Sequence, residues 1–204
     1  MCHWPYSWPS ELFVIATLVG AIVTWLRRSR YRWLQAIARF YVSVFRAVPG
    51  VVQIFLAYYG LPEIIPALKN CSPEVMVILA LGFKYAAYMA ETFRAAVDSV
   101  DAGQWEAATS LQINKWAFFK HVMLPQAAVN AIPGFGNYTI GILKETALAF
   151  VIWVTELFGE GKLIAGGSFK YMEVYAAVAI IYWLLVVAYS ALQNKLERYY
   201  RRYM

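Results

Sequence analysis

Apolar residues run through this chain in five long blocks, at about 8–26, 36–61, 73–92, 123–143 and 174–193, with shorter polar passages between them. Each block approaches or exceeds the roughly 20 residues an α-helix needs to cross a bilayer. The pattern predicts an all-α integral membrane protein, a single domain over 1–204, with about five transmembrane helices. The last block is the plainest: VYAAVAIIYWLLVVAYSAL, Val174 to Leu192, carries no charge, and its Tyr and Trp suit interfacial anchoring. The fourth is also free of charge, but Pro125, Pro133, Gly134, Gly136 and Gly141 interrupt it. A broken helix is expected there, its freed backbone groups satisfied by neighbours or cavity water. The first block offers only 15 apolar or small residues after Glu11, about 22 Å of helix against a hydrocarbon core of about 30 Å. It is expected to recruit Trp4 and Trp8.

Composition agrees. Of 204 residues 61% are hydrophobic and 15% charged, against roughly 45–50% apolar usage in soluble domains. Twelve of the 18 Lys and Arg fall on one side when five spans are drawn: Arg27, Arg28, Arg30, Arg32, Arg39, Arg94, Lys115, Lys120, Lys195, Arg198, Arg201 and Arg202. By the positive-inside rule this puts the N-terminus outside and the C-terminus in the cytoplasm. A cleaved signal peptide would need its basic residues before the first apolar run, and here they follow it. The formal charge of +6 therefore reflects membrane topology, since no basic stripe with interleaved stacking aromatics suggests nucleic acid. Cys2 and Cys71 fall on the predicted outer face, where a disulfide is chemically allowed, but two cysteines without a spacing pattern read more simply as free thiols.

The chain carries no phosphate-binding G-x-x-x-x-G-K-[ST] loop, so it is expected to hold no ATP itself; GEGKL at Gly159–Leu163 has the Gly-Lys pair without the cradle. His3 and His121 have no metal or hydrolase spacing, and no metal site or catalytic constellation is expected.

Between the third and fourth blocks lies a more polar insert, about 98–124, that reads as two short helices. Asp101 followed by Gln104 resembles a capping box, starting a helix from about Ala102 to Leu111. Asn114 is a plausible cap for a second helix carrying Trp116, Phe118, Phe119 and Val122, and Pro125 then opens or kinks the next span.

Glu106-Ala107-Ala108, three residues, Gln112, nine residues, Val122, one residue and then Leu124-Pro125 resembles the EAA loop of ATP-binding-cassette importer permeases. FRAVPGVVQIFLAYYGLP, AAYMAETFRAAVDSVDAGQWEAA and LPQAAVNAIPGFGNYTIGILKETALAF are similar to segments of the polar amino-acid branch of that family, and the region from Lys144 onward is similar to cystine-type permeases. The resemblance implies a bacterial cell-membrane permease subunit for polar amino acids, cystine or a related amino acid among them, without its own ATPase site. Gly103, Glu106, Ala107, Ala108, Gln112, Leu124 and Pro125 would form the coupling element seated on a separate ATPase that binds ATP and Mg. A second permease chain, identical or paralogous, and an external solute-binding protein complete the implied assembly. The family's glycine is Gln112 here. A residue at that left-handed position costs a non-glycine roughly 1 kcal/mol or more, so either Gln112 bears that strain or the helix runs on before turning.

Ionisable residues at membrane depth are the remaining candidates, each costing about 2.5–3.5 kcal/mol on insertion scales unless paired or wetted. Lys84 and Glu91 lie seven residues apart and share a helix face, and either compensate each other, pair with other helices or line a substrate pathway. Asn137 and Thr139, beside the expected break at Pro133, offer neutral hydrogen-bonding groups. Arg46, Lys144 and Glu145 are further charges at span edges. Two rival readings are a self-sufficient carrier driven by an ion gradient, disfavoured by the lack of an internal repeat, and a membrane scaffold that recruits a cytoplasmic protein.

Overall fold

The computed structural model describes residues 8–201, and the expectations for Cys2, His3, Trp4 and Arg202 lie outside them. Helix α1 is Trp8–Arg27, α2 Arg32–Ala47 and α3 Gly50–Phe55, which continues through a π-helical turn at Leu56–Gly60 into α4, Leu61–Ile64. Helix α5, Pro73–Asp98, begins with proline in its first turn, where the missing N–H has no intrahelical partner to lose. Then come α6 (Ala102–Ser110), α7 (Lys115–Phe118), α8 (Leu124–Glu145), a 3₁₀ stretch at Thr146–Ile152, α9 (Leu157–Ser168) and α10 (Tyr171–Arg201).

Among the described residues α1, α5 and Tyr171–Tyr200 of α10 are long and apolar enough to cross a membrane, and the bent pair Arg32–Ala47 and Gly50–Ile64 would make a fourth. That pair covers the second block, 36–61, with a sharp bend that the block pattern does not announce. It turns by 109° at Val48-Pro49, because proline holds the preceding residue extended and cannot donate to the ladder: Val48 sits at φ −78°, ψ 132°. Gln53 restores what the break removes, its Nε2 donating to Phe45 O and Val48 O at 2.9 Å each.

The fourth block also differs from expectation. Helix α8 runs unbroken through Pro133 for 22 residues, a length of about 33 Å. Glycines beside the proline let neighbours close on this segment. A Cβ on Gly134 would meet the Thr92 side chain at 2.6 Å, one on Gly136 would collide with Gln193, and Gln193 Nε2 donates to Pro133 O at 3.4 Å.

Helix α5 is the mast of the bundle. It lies alongside α1 running the same way, with Gly82 against Ile15, Gly20 against Ala86 and Met89, and Arg27 bonded to Glu91. A Cβ on Gly20 would stand 2.9 Å from that of Met89, so the absent side chain permits the close approach that favours helix association in lipid. Helix α8 runs antiparallel to α5: Lys84 meets Glu145, Tyr85 meets Gly141, Thr92 meets Tyr138 and Ser99 meets Asn130. The α2–α4 arm is also antiparallel to α5, from Arg46 beside Tyr88 to Gly50 beside Lys84. Helix α10 reverses again, from Val178 on Gly161 to Gln193 on Gly136. Glu156, buried, ties this corner together: its Oε1 caps α9 by accepting from Gly159 N at 2.9 Å and its Oε2 accepts from the Tyr182 hydroxyl at 2.7 Å.

Candidate coupling surface and charged interior

Helix α6 starts at Asp101, whose carboxylate accepts from Gly103 N at 2.7 Å. The expected return bond from Gln104 is not made. Gln104 instead pairs amide to amide with Gln126 on α8, at 2.8 and 3.4 Å, because the insert folds back and brings that acceptor within reach. At its other end Gln112 takes φ 53°. Ile113 N reaches Ala108 O at 2.9 Å and Gln112 N reaches Thr109 O at 3.1 Å, the paired bonds of a Schellman cap. Of the two possibilities open at Gln112, the helix therefore stops and the glutamine bears the left-handed strain, roughly 1–2 kcal/mol. Asn114 caps α7, accepting from Trp116 N at 2.8 Å, and a π-helical turn, Phe119–Met123, carries the chain into α8.

The result is a short helix clamped on both flanks. Ala108 is buried, Trp105 meets buried Phe118 edge-on with centroids 5.2 Å apart, and Asn130 Nδ2 donates to Ser99 Oγ at 2.7 Å across the bases of α5 and α8. Gly103, Glu106, Ala107, Gln112, Leu124 and Pro125 are exposed. No ion pair holds the Glu106 carboxylate among the described residues. Exposed Leu111, Ile113 and Trp116 extend the same module with apolar surface, an arrangement able to seat in a groove and present one carboxylate to a basic partner.

The interior charges separate into two nodes. Lys84, with only 8% of its side chain exposed, bonds both oxygens of Glu145 at 2.7 and 2.9 Å. The pair lies against Gly50 at the break in the α2–α4 arm, where a Cβ would sit 2.9 Å from Lys84 Nζ. Glu91 instead takes Arg27 at 2.6 Å, Arg94 at 2.9 Å and Arg46 at 3.6 Å. Lys84 and Glu91 thus share a helix yet answer to different partners, so the compensation is not mutual. Lys84's partner comes from another helix, and Glu91 draws on α1 and α2 as well as on Arg94 of its own helix. No sequence spacing points to Glu145 as Lys84's partner, because 61 residues separate them. Thr139 bonds Phe135 O at 3.0 Å and lines a cavity of about 410 Å³ between α1, α8 and α10. Asn137 is exposed, and the structure does not bring it to either charged node.

A family model described as "Binding-protein-dependent transport system inner membrane component" matches residues 16–202. The chain belongs to that family. It is 45% identical over 185 residues to the "Probable amino-acid permease protein YxeN" of Bacillus subtilis (strain 168), covering 91% of this chain and 83% of that one. It is 37% identical over 158 residues to the "L-cystine transport system permease protein TcyL" of the same organism, covering 76% and 66%. Its fold superposes on the crystal structure of an amino acid ABC transporter with histidines at a TM-score of 0.88 with 31% identity, covering 95% and 89%. Membership in a binding-protein-dependent family favours an ATP-driven permease over the self-sufficient carrier.

Proposed function

We propose that the chain is the membrane-spanning permease subunit of an ATP-driven importer for polar amino acids, cystine or a relative of it among them. The observation that carries this reading is α6: a capped helix clamped between the ends of α5 and α8, exposing Glu106 and Ala107, in a chain with no phosphate loop of its own. Energy then enters from a separate ATPase that binds ATP and Mg. Closure of two ATPases pushes on α6, and the amide pair and the aromatic contact pass that displacement to α5 and α8, rocking the bundle between its two open states.

A second permease chain and an external binding protein complete the assembly. The 204 residues act as one domain with five spans, α8 supplying the fifth. The N-terminus lies outside and the C-terminus lies in the cytoplasm of a bacterium. The alternating directions of α1, the α2–α4 arm, α5, α8 and α10 support this topology, as does the clustering of arginines at the end that carries α6. Lys84 with Glu145, Glu91, Asn137 and Thr139 are the pathway candidates. The Lys84–Glu145 pair is suited to exchange with the ammonium and carboxylate of an amino acid. Relatives named for amino acids and for L-cystine support the substrate class.

The test is reconstitution with the ATPase and binding protein in vesicles. Glu106→Arg should lower ATP-driven amino-acid uptake and binding-protein-stimulated ATP hydrolysis together, by tenfold or more, on the order of 1.4 kcal/mol of lost coupling. Wild-type values of both would remove Glu106 from the mechanism.

A further inference from the structure

We propose that an arginine-lined cleft between α1, α2 and α5 binds the headgroup phosphate of an anionic glycerophospholipid. Two adjoining hollows, of about 440 and 400 Å³, share Arg27 and Arg39 as a common wall. Together they are lined by Arg27, Arg28, Arg39, Arg46 and Arg94 against only Glu91 and Asp98, a net charge of +3. The two carboxylates are already divided among four of these arginines: Glu91 among Arg27, Arg94 and Arg46, and Asp98 between Arg28 and Arg94. Arg39 has no ion pair or hydrogen bond among the described residues, although it stands in the middle of the cleft.

Uncompensated guanidinium groups next to a hydrocarbon phase need an anion, and their planar fork matches phosphate oxygens two at a time. Helix α2 supplies both halves of an amphiphile's site. Arg32, Arg39 and Arg46 recur every seven residues along one edge. Roughly a third of a turn away, by the 100° step of the helix, Trp33, Ile37, Phe40 and Val44 form an exposed apolar strip. Trp25 on α1, at the level of the cleft, is also exposed. A free anion would fit the arginines but leave this strip without a use, whereas a phospholipid occupies both, its phosphate in the cleft and its chains along α2. Basic pockets between membrane helices bind anionic headgroups by the same physics.

The experiment uses the intact permease–ATPase complex in phosphatidylcholine vesicles containing spin-labelled phosphatidylglycerol or spin-labelled phosphatidylcholine, at matched ionic strength. The ratio of their association constants is read from the motionally restricted fraction. Wild type should prefer phosphatidylglycerol severalfold. Arg39→Gln should lower that preference about fivefold, one cation's share, while Arg39→Lys and the remote Arg198→Gln should keep most of it. Arg39 is exposed and unpaired, so folding is not at stake, and unchanged thermal unfolding of Arg39→Gln checks this. Equal ratios in wild type and Arg39→Gln, or an equal fall in Arg198→Gln, would overturn the proposal. Inorganic phosphate that raises the unfolding midpoint of wild type but not of Arg39→Gln, with equal lipid ratios in the two, would assign the cleft to a soluble anion instead. A raised transport KM in Arg39→Gln with the lipid ratio intact would assign it to the solute path and also refute the lipid site.

Discussion

Helices α5 and α10 are the two longest among the described residues and hold opposite places in the fold. The apolar stretch of α10 is the greasier, with a mean hydropathy of 2.0 against 1.3 for α5, yet the chain buries only 6% of it, against 67% of α5. In a soluble protein the ranking would be reversed. Here the surrounding lipid solvates Ile180, Trp183, Leu184 and Val187 as well as a protein core would, so apolar side chains gain little by facing inward. What sorts a helix to the centre is what lipid cannot satisfy: Lys84 and Glu91 need partners, and Gly82, Ala86, Ala87 and Ala90 let other backbones approach.

Mutations sharpen the contrast, the largest effect first. Glu145→Gln leaves the Lys84 ammonium buried beside an amide, and should cost about 3 kcal/mol, the low end for a broken buried pair because Glu145 keeps 30% of its side chain exposed. Adding Lys84→Met should recover most of that loss, which thermal unfolding in detergent or nanodiscs would register. If the double variant is no more stable than Glu145→Gln, the ion pair is not what anchors α5 to α8. Gly20→Val drives a branched side chain into Met89 and Ala86, and should cost about 2–3 kcal/mol by overpacking. An unchanged midpoint would mean that α1 and α5 do not meet there.

The finest test is a matched pair. Leu81→Ala on α5 empties a site that is fully buried and should cost about 2 kcal/mol, mostly the cavity share of the usual penalty because lipid replaces water as the reference. Leu184→Ala on the exposed face of α10 should stay within about 0.5 kcal/mol. Comparable losses at both sites in a membrane mimetic would show that α10 is packed as α5 is, against a second chain.

Much of the site was legible beforehand, and for local reasons. Asp101 and Asn114 act as caps because short polar side chains reach backbone N–H groups two residues on. At Gln112 the sequence leaves two outcomes, a strained left-handed residue or a helix that runs on, and the fold selects the first. Gln104 misled because a capping box competes with any better partner that folding delivers, and Gln126 was such a partner. Pro133 differs for a related reason: a proline reads as a break, but α8 stays continuous through it where Thr92 and Gln193 close on Gly134 and Gly136.

The linear order of residues determined on its own that the chain is helical and lipid-embedded, where α6 begins, and which charges demand explanation, since these depend on hydropathy, capping and desolvation acting over a few residues. Only the tertiary structure decided who answers each charge. Lys84 reaches Glu145 across 61 residues and Arg27 reaches Glu91 across 64. Such pairings follow from which helices run alongside one another, a matter of backbone approach at Gly20 and of side chains fitting against Gly50 and Gly141 that no local pattern encodes.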